Sequence, residues 1–65
     1  MNLTNNEYSA EEERFLGMIE SNHKIGIQMC NEFAKNSSNP DITDLANRTI
    51  QLLYFQMQEI QRLMR

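Results

Sequence analysis

The chain has 65 residues, of which 40% are hydrophobic and 8% aromatic, and its nine acidic and six basic side chains give a net charge of −3. A chain this short forms one domain at most and buries only roughly 60% of its unfolded surface, so we expect self-association to supplement its core. The single cysteine, Cys30, excludes an intrachain disulfide and a Cys-x-x-Cys zinc site. The acidic balance, without a cluster of Lys and Arg, argues against a nucleic-acid-binding surface.

The sequence also indicates the cellular compartment of the protein. No stretch approaches the roughly 18 apolar residues of a membrane span, and residues 1–6 have neither the charged start nor the apolar run of a signal peptide. One free thiol fits a reducing compartment. We therefore expect a cytoplasmic protein that makes no contact with a membrane.

The first predicted helix follows a polar segment, residues 1–8, that we expect to be frayed or disordered. Ser9-Ala10-Glu11-Glu12 has the S-x-x-E form of a capping box, which predicts a single domain over 9–65 with helix 1 at about 9–35. Apolar positions then recur at helical spacing and predict a seam toward a partner helix. Its members are Phe15, Ile19, Asn22, Gly26, Met29 and Phe33.

The second predicted helix, at about 40–64, follows the loop 36–39, where Asn39 can cap it and Pro40 suits its first position. It carries two neighbouring columns at helical spacing, a face wider than one partner helix can cover. The predicted seam consists of Ala46, Ile50, Leu53, Met57, Ile60 and Met64. The second column consists of Ile42, Leu45, Thr49, Leu52, Gln56 and Leu63.

These elements predict an all-α fold, an antiparallel two-helix hairpin that dimerises into a ferritin-like four-helix bundle. The short loop places residue i of helix 1 roughly level with residue 75 − i of helix 2, so His23 is expected near Leu52 and Met18 near Met57. The relative orientation of the two hairpins stays open. The expected interface residues are Ile50, Leu53, Tyr54, Phe55, Met57 and Ile60.

Glu20 and His23 form a Glu-x-x-His motif of the kind that ligates metal in di-iron bundles, but helix 2 offers no glutamate at the same level. A di-iron oxidase is therefore excluded, and Glu20 is expected to pair with Lys24.

Cys30 lies where the helix dipole opposes a thiolate, and no Ser-His-Asp set can be assembled, so we predict that the protein is not an enzyme. Five methionines and one histidine suit Cu(I), although methionine in a helical stripe is more often an adaptable core residue.

Tyr54 and Phe55 are adjacent aromatic residues beside the main seam of helix 2. Two such side chains can mark a surface for another protein. They can equally pack on helix 1 of a second subunit, and the sequence leaves both interpretations open.

Residues 15–23 read F-L-G-M-I-E-S-N-H and are followed by Gly26, Ile27 and Met29-Cys30. This segment resembles the F-L-x-M-M-x-x-H-H-x-x-A-[IV]-x-M-A signature of the ferritin-like domain-of-unknown-function family 305. Asn39-Pro40-Asp41-Ile42, Leu45-Ala46 and residues 52–60 resemble its second half, with about one extra helical turn between the last two. A weaker resemblance is to the spore-coat-F-like hairpins, without support at the His and Met positions.

The resemblance implies a helix pair of a four-helix bundle in a family with several copper-associated members. By position, His23 matches the second histidine of the signature, and Met18 and Met29 match its methionines, while Asn22 replaces the first histidine. The metal ligands expected from this match, with Met57 added because it lies near their level, are His23, Met18, Met29 and Met57. Two functions follow: a small copper-binding protein, or a structural or protein-interaction dimer without metal.

Overall fold

The computed structural model describes residues 7–65, which form the helices α1 (Ala10–Asn36) and α2 (Pro40–Met64) and no strand. The protein is an all-α helical hairpin whose two helices contact each other. Helix α1 begins and ends one residue later than predicted, and the bounds of α2 coincide with the predicted ones. The prediction of a frayed segment over 1–8 falls mostly outside the described residues, and within them Tyr8 is half-buried.

The start of α1 is fixed by the predicted capping box. The Glu12 backbone N–H donates to Ser9 Oγ at 3.1 Å, and the Ser9 N–H donates to Glu12 Oε1 at 2.8 Å. Glu11, Glu12 and Glu13 occupy the first turn, where the positive end of the helix dipole favours anions. This part of the prediction is confirmed.

The link between the helices is short and internally hydrogen-bonded. Asn39 Oδ1 accepts from the backbone N–H groups of Asp41 at 2.9 Å and Ile42 at 3.4 Å, so Asn39 caps α2 as predicted. Pro40 occupies the first turn of α2, where its missing N–H costs nothing. Ser37 Oγ accepts from the Asn39 N–H at 3.1 Å, which ties the end of α1 to the start of α2.

The core between the helices is thin, and no residue within 7–65 is less than 2% exposed. Its buried side chains are Leu16, Ile27, Ala46, Met57 and Ile60. On α2 this agrees with the predicted seam, in which Ile50 and Leu53 are half-buried and only Met64, at 37%, is exposed.

On α1 the predicted seam is only partly correct, since Ile19 and Gly26 are half-buried while its other four members are exposed. Phe15, Met29 and Phe33 are each 54% exposed, whereas Leu16 and Ile27 are buried in their place. The apolar surface of α1 is wide enough for two partners, and periodicity does not tell which of two adjacent columns faces α2. The column that carries Phe15, Met29 and Phe33 is exposed and does not pack against α2.

Two contacts define how the helices lie against each other. A Cβ atom built on Gly26 would lie 3.1 Å from Leu53 Cδ1, so the two helices approach each other closely at that glycine. His23 was expected near Leu52, but its Nε2 lies 2.8 Å from Gln56 Oε1, one turn further along α2. Met18, expected near Met57, is 60% exposed while Met57 is buried.

Neither α1 nor α2 combines the length and the apolar character that a membrane-crossing helix needs.

Candidate functional site

Large apolar side chains lie exposed along α1. Phe15, Met18, Ile25, Met29 and Phe33 are 54–60% exposed. Together with Asn22, these five residues recur every three or four positions, so they lie along one side of the helix. The row spans 18 residues, or about 27 Å of helix.

Three exposed apolar side chains of α2, Ile42, Leu45 and Leu52, lie on the same side of the hairpin as this row. One groove of about 310 Å³ is lined by Met29 and Phe33 from α1 and by Ile42 and Leu45 from α2. A second groove, of about 200 Å³, contains Phe15 and Ile19 from α1 with Gln56 and Leu63 from α2. Each groove takes side chains from both helices, so the two columns form one continuous surface.

We call this surface the apolar face. The large apolar side chains at its centre are Phe15, Met29, Phe33, Ile42, Leu45 and Leu52, of which Leu52 is 63% exposed, while Met18 and Ile25 lie at its outer edge. With a length of about 27 Å and a width of two helices, roughly 20 Å, the face covers on the order of 500 Å². The largest apolar patch on a small protein is typically of this size and is often a functional surface.

His23 is half-buried at the edge of the second groove, and both of its ring nitrogens are engaged within the chain. Nδ1 lies 2.9 Å from the carbonyl oxygen of Ile19, which can only accept, so Nδ1 carries a proton. Nε2 is held 2.8 Å from the side-chain amide of Gln56. The histidine thus connects α1 to α2 by a hydrogen bond.

The four expected metal ligands do not converge within one chain. Met18 and Met29 are 60% and 54% exposed, while Met57 is buried. Met18 and His23 are five residues apart, which places them about 140° apart around α1. Among residues 7–65 no group of three or more His, Cys, Asp and Glu side chains could hold a metal ion. These positions do not fit a single copper site in the hairpin by itself.

The predicted ion pair between Glu20 and Lys24 is present at 4.0 Å, with the lysine side chain 63% exposed. A pair this exposed contributes little to stability. Glu20, whose side chain is 23% exposed, therefore has the expected neighbour in the same helix.

The expected interface residues divide into two groups. Ile50, Leu53, Met57 and Ile60 are buried or half-buried in the hairpin core. Tyr54 and Phe55 are 52% and 71% exposed and line neither of the two apolar grooves. Helical spacing places Tyr54 on the side of α2 away from the apolar face and Phe55 at its outer edge.

The exposed column of α2 was visible in the sequence as the second column, and its partner on α1 was mistaken for the seam. The width of the apolar surface on both helices was the sequence signal that each helix has two apolar columns, one inside the hairpin and one exposed. Comparison with known proteins found no matching family model, curated protein or solved structure. The apolar face is the feature of this molecule from which a function can be inferred.

Proposed function

We propose that this protein is a non-enzymatic self-association module, an antiparallel helical hairpin that dimerises through its apolar face into a four-helix bundle. The single observation that carries the proposal is the exposure of six large apolar side chains on one continuous face. The occupant we propose is a second copy of the chain. Its free thiol supports a reducing compartment, and we place it in the cytoplasm.

The antiparallel arrangement is supported by the order of the contacts between the helices. Gly26 lies against Leu53, and three residues earlier in α1, His23 is bonded to Gln56, three residues later in α2. When successive contacts have falling residue numbers on one helix and rising residue numbers on the other, the two helices are antiparallel. The three-residue link allows no other neighbouring arrangement of long helices.

A second copy is supported by the composition of the face and by the thinness of the core. The face covers on the order of 500 Å² per copy, below the roughly 800 Å² per partner of a standard interface, which fits a weak dimer that depends on concentration. Each half-exposed Leu, Ile, Met or Phe gains about 1 kcal/mol when it is covered. A face of the same composition on a second copy is the partner that covers it without exposing a new apolar surface.

The test is the oligomeric state of the whole chain by sedimentation equilibrium and native mass spectrometry under reducing conditions. We expect a concentration-dependent dimer. Leu52→Glu places a carboxylate in the centre of the apolar face and should raise the dimer dissociation constant by at least about 100-fold. The helix content of the variant at high concentration reports whether the chain still folds.

Tyr54→Glu is the matched control, because Tyr54 is a similarly exposed apolar residue two positions along the same helix but on its other side. We expect its dissociation constant to stay within about threefold of the original, since an exposed substitution away from a contact changes stability by about 0.5 kcal/mol. A monomer at all concentrations would contradict the proposal. So would a dimer that Tyr54→Glu weakens and Leu52→Glu leaves intact.

Copper binding, which the resemblance to the ferritin-like family implies, stays a prediction, as does the family assignment. It can be tested in the same mass spectra with added Cu(I). A dimer with a fixed copper stoichiometry that His23→Ala abolishes would support a site assembled between chains. A dimer that stays metal-free would leave self-association as the function.

A further inference from the structure

We propose that the two copies meet with their interhelical loops at opposite ends of the bundle, so that α1 of one copy lies antiparallel on α1 of the other. This inference rests on the proposed self-association. Two arrangements with twofold symmetry cover the apolar face. In the opposite-end arrangement α1 faces α1 and α2 faces α2, and in the same-end arrangement α1 of each copy faces α2 of the other.

The charges that flank the exposed row of α1 have opposite signs at its two ends. Arg14 directly precedes Phe15, and Glu32 directly precedes Phe33. The two charged residues are 18 positions apart, which is five helical turns, so both lie on the same edge of α1. Both are exposed, and this edge is the one that faces away from α2.

The opposite-end arrangement brings these two charges together. When the exposed rows of two α1 helices cross at their midpoint, Phe15 lies level with Phe33 of the second copy. Arg14 then lies within about 3 Å, along the axis, of the level of Glu32 of the second copy. The symmetry axis creates this pair twice.

The edge of α2 repeats the pattern. Asp41 lies at the start of α2 and Arg62 in its last turn, and both are exposed on the side of the helix away from α1. When two α2 helices meet antiparallel at their midpoints, Asp41 lies about one residue from the level of Arg62 of the second copy. Within the chain, Arg62 has Glu59 as an ion-pair partner, at 3.8 Å.

The same-end arrangement offers these charges no free partner. There α1 of one copy lies on α2 of the other in nearly the register that the two helices have within the hairpin. Arg14 then lies level with Arg62 of the second copy, which pairs with Glu59 at 3.8 Å, and Glu32 lies level with Asp44, which pairs with Arg48 at 3.1 Å. Each charge thus meets an ion pair that is already formed, whereas the opposite-end arrangement creates the new pair of Arg14 with Glu32 twice.

The orientation is tested by the distance between the two loops in the dimer. Spin labels are attached at Ser38→Cys in a Cys30→Ala background, since Ser38 is exposed in the link and Cys30 is the only native thiol. Pulsed electron paramagnetic resonance should give a distance of about 40 Å if the loops lie at opposite ends, and under about 25 Å if they share an end. The short distance in an intact dimer overturns this inference and leaves the proposed function standing, whereas a monomer overturns both.

Charge reversal at Arg14 gives an independent test whose result differs between the arrangements. In the opposite-end dimer, Arg14→Glu should raise the dissociation constant about 10-fold, because it sets two carboxylates against each other. The double variant Arg14→Glu with Glu32→Arg should restore the original value within about threefold. In the same-end dimer, Arg14 lies level with the Glu59–Arg62 pair, so Arg14→Glu would leave the dissociation constant within about threefold of the original, and that result would refute the inference.

The hairpin itself should tolerate these changes. Arg14→Glu adds an acid near the start of α1 and Glu32→Arg adds a base near its end, so neither opposes the helix dipole. Lys24→Glu is the matched control, because Lys24 is an exposed base on the side of α1 away from the apolar face. Its dissociation constant should stay within about threefold of the original.

Discussion

The two glycines of α1 give the sharpest test of how the helices pack, because an added methyl group meets different surroundings at each. At Gly17 a Cβ atom would have nothing within 4 Å, whereas at Gly26 it would lie 3.1 Å from Leu53 Cδ1. Both residues stand inside the helix, where alanine is favoured over glycine by about 0.8–1.0 kcal/mol. The backbone gain is therefore the same at both positions, and the packing differs.

Gly17→Ala should stabilise the protein by about 1 kcal/mol, which for a chain of this size raises the melting temperature by roughly 4–8 °C. At Gly26 the Leu53 side chain must move by a few tenths of an ångström, and overpacking of this kind costs about 1–3 kcal/mol. The cost cancels or exceeds the backbone gain. We expect Gly26→Ala to leave stability unchanged or to lower it by about 1 kcal/mol.

The measurement is thermal unfolding by circular dichroism for the original protein and both variants at one protein concentration, repeated at a tenfold higher one. The repeat separates a change in hairpin stability from a change in association. If Gly26→Ala stabilises the protein as much as Gly17→Ala does, Leu53 does not pack against Gly26 and the packing argument fails.

The remaining predictions concern the seam and the cap. Leu53→Ala should destabilise the protein by about 2–3 kcal/mol, toward the low end for a core leucine because Leu53 is half-buried, and unfolding at micromolar concentration should show it. Unchanged melting would place Leu53 outside the seam. Ser9→Ala removes the acceptor of the Glu12 N–H and should cost about 1 kcal/mol, with faster hydrogen exchange at the first-turn amides. Exchange at Glu12 that stays equally slow would mean that the capping box does not protect this turn.

The helix ends could be predicted because their causes lie within a few residues of chain. Ser9 with Glu12 and Asn39 with Pro40 satisfy backbone groups that the helix itself leaves free, and the structure shows both caps. The choice of seam on α1 depends on α2, which is distant in sequence. An apolar surface wide enough for two partners gives the same periodicity whichever column faces inward.

The register was missed by about one turn for a related reason. Counting from the loop aligns backbone levels, but side chains lean toward the N-terminus of their own helix. In the antiparallel pairing that we propose, His23 and Gln56 lean toward each other along the axis, so they meet although their Cα atoms lie at different levels. The expected site at His23 was misjudged for the same reason, since its hydrogen-bond partner, Gln56, lies in the second column rather than in the seam.

Folding and association are coupled in the proposed dimer. Among residues 7–65 the hairpin core contains five buried side chains, while six large apolar ones lie exposed at the centre of the apolar face. If the folded chain is stabilised by a second copy, the free energy of unfolding of the dimer rises by about 1.4 kcal/mol for each tenfold rise in protein concentration. Loss of a seam residue such as Leu53 therefore weakens the dimer by unfolding its subunits, whereas loss of a face residue such as Leu52 unfolds the subunits by separating them. Charges at the rim such as Arg14 and Glu32 change the association without entering either apolar surface, and their effect on the dissociation constant reports the orientation of the two copies.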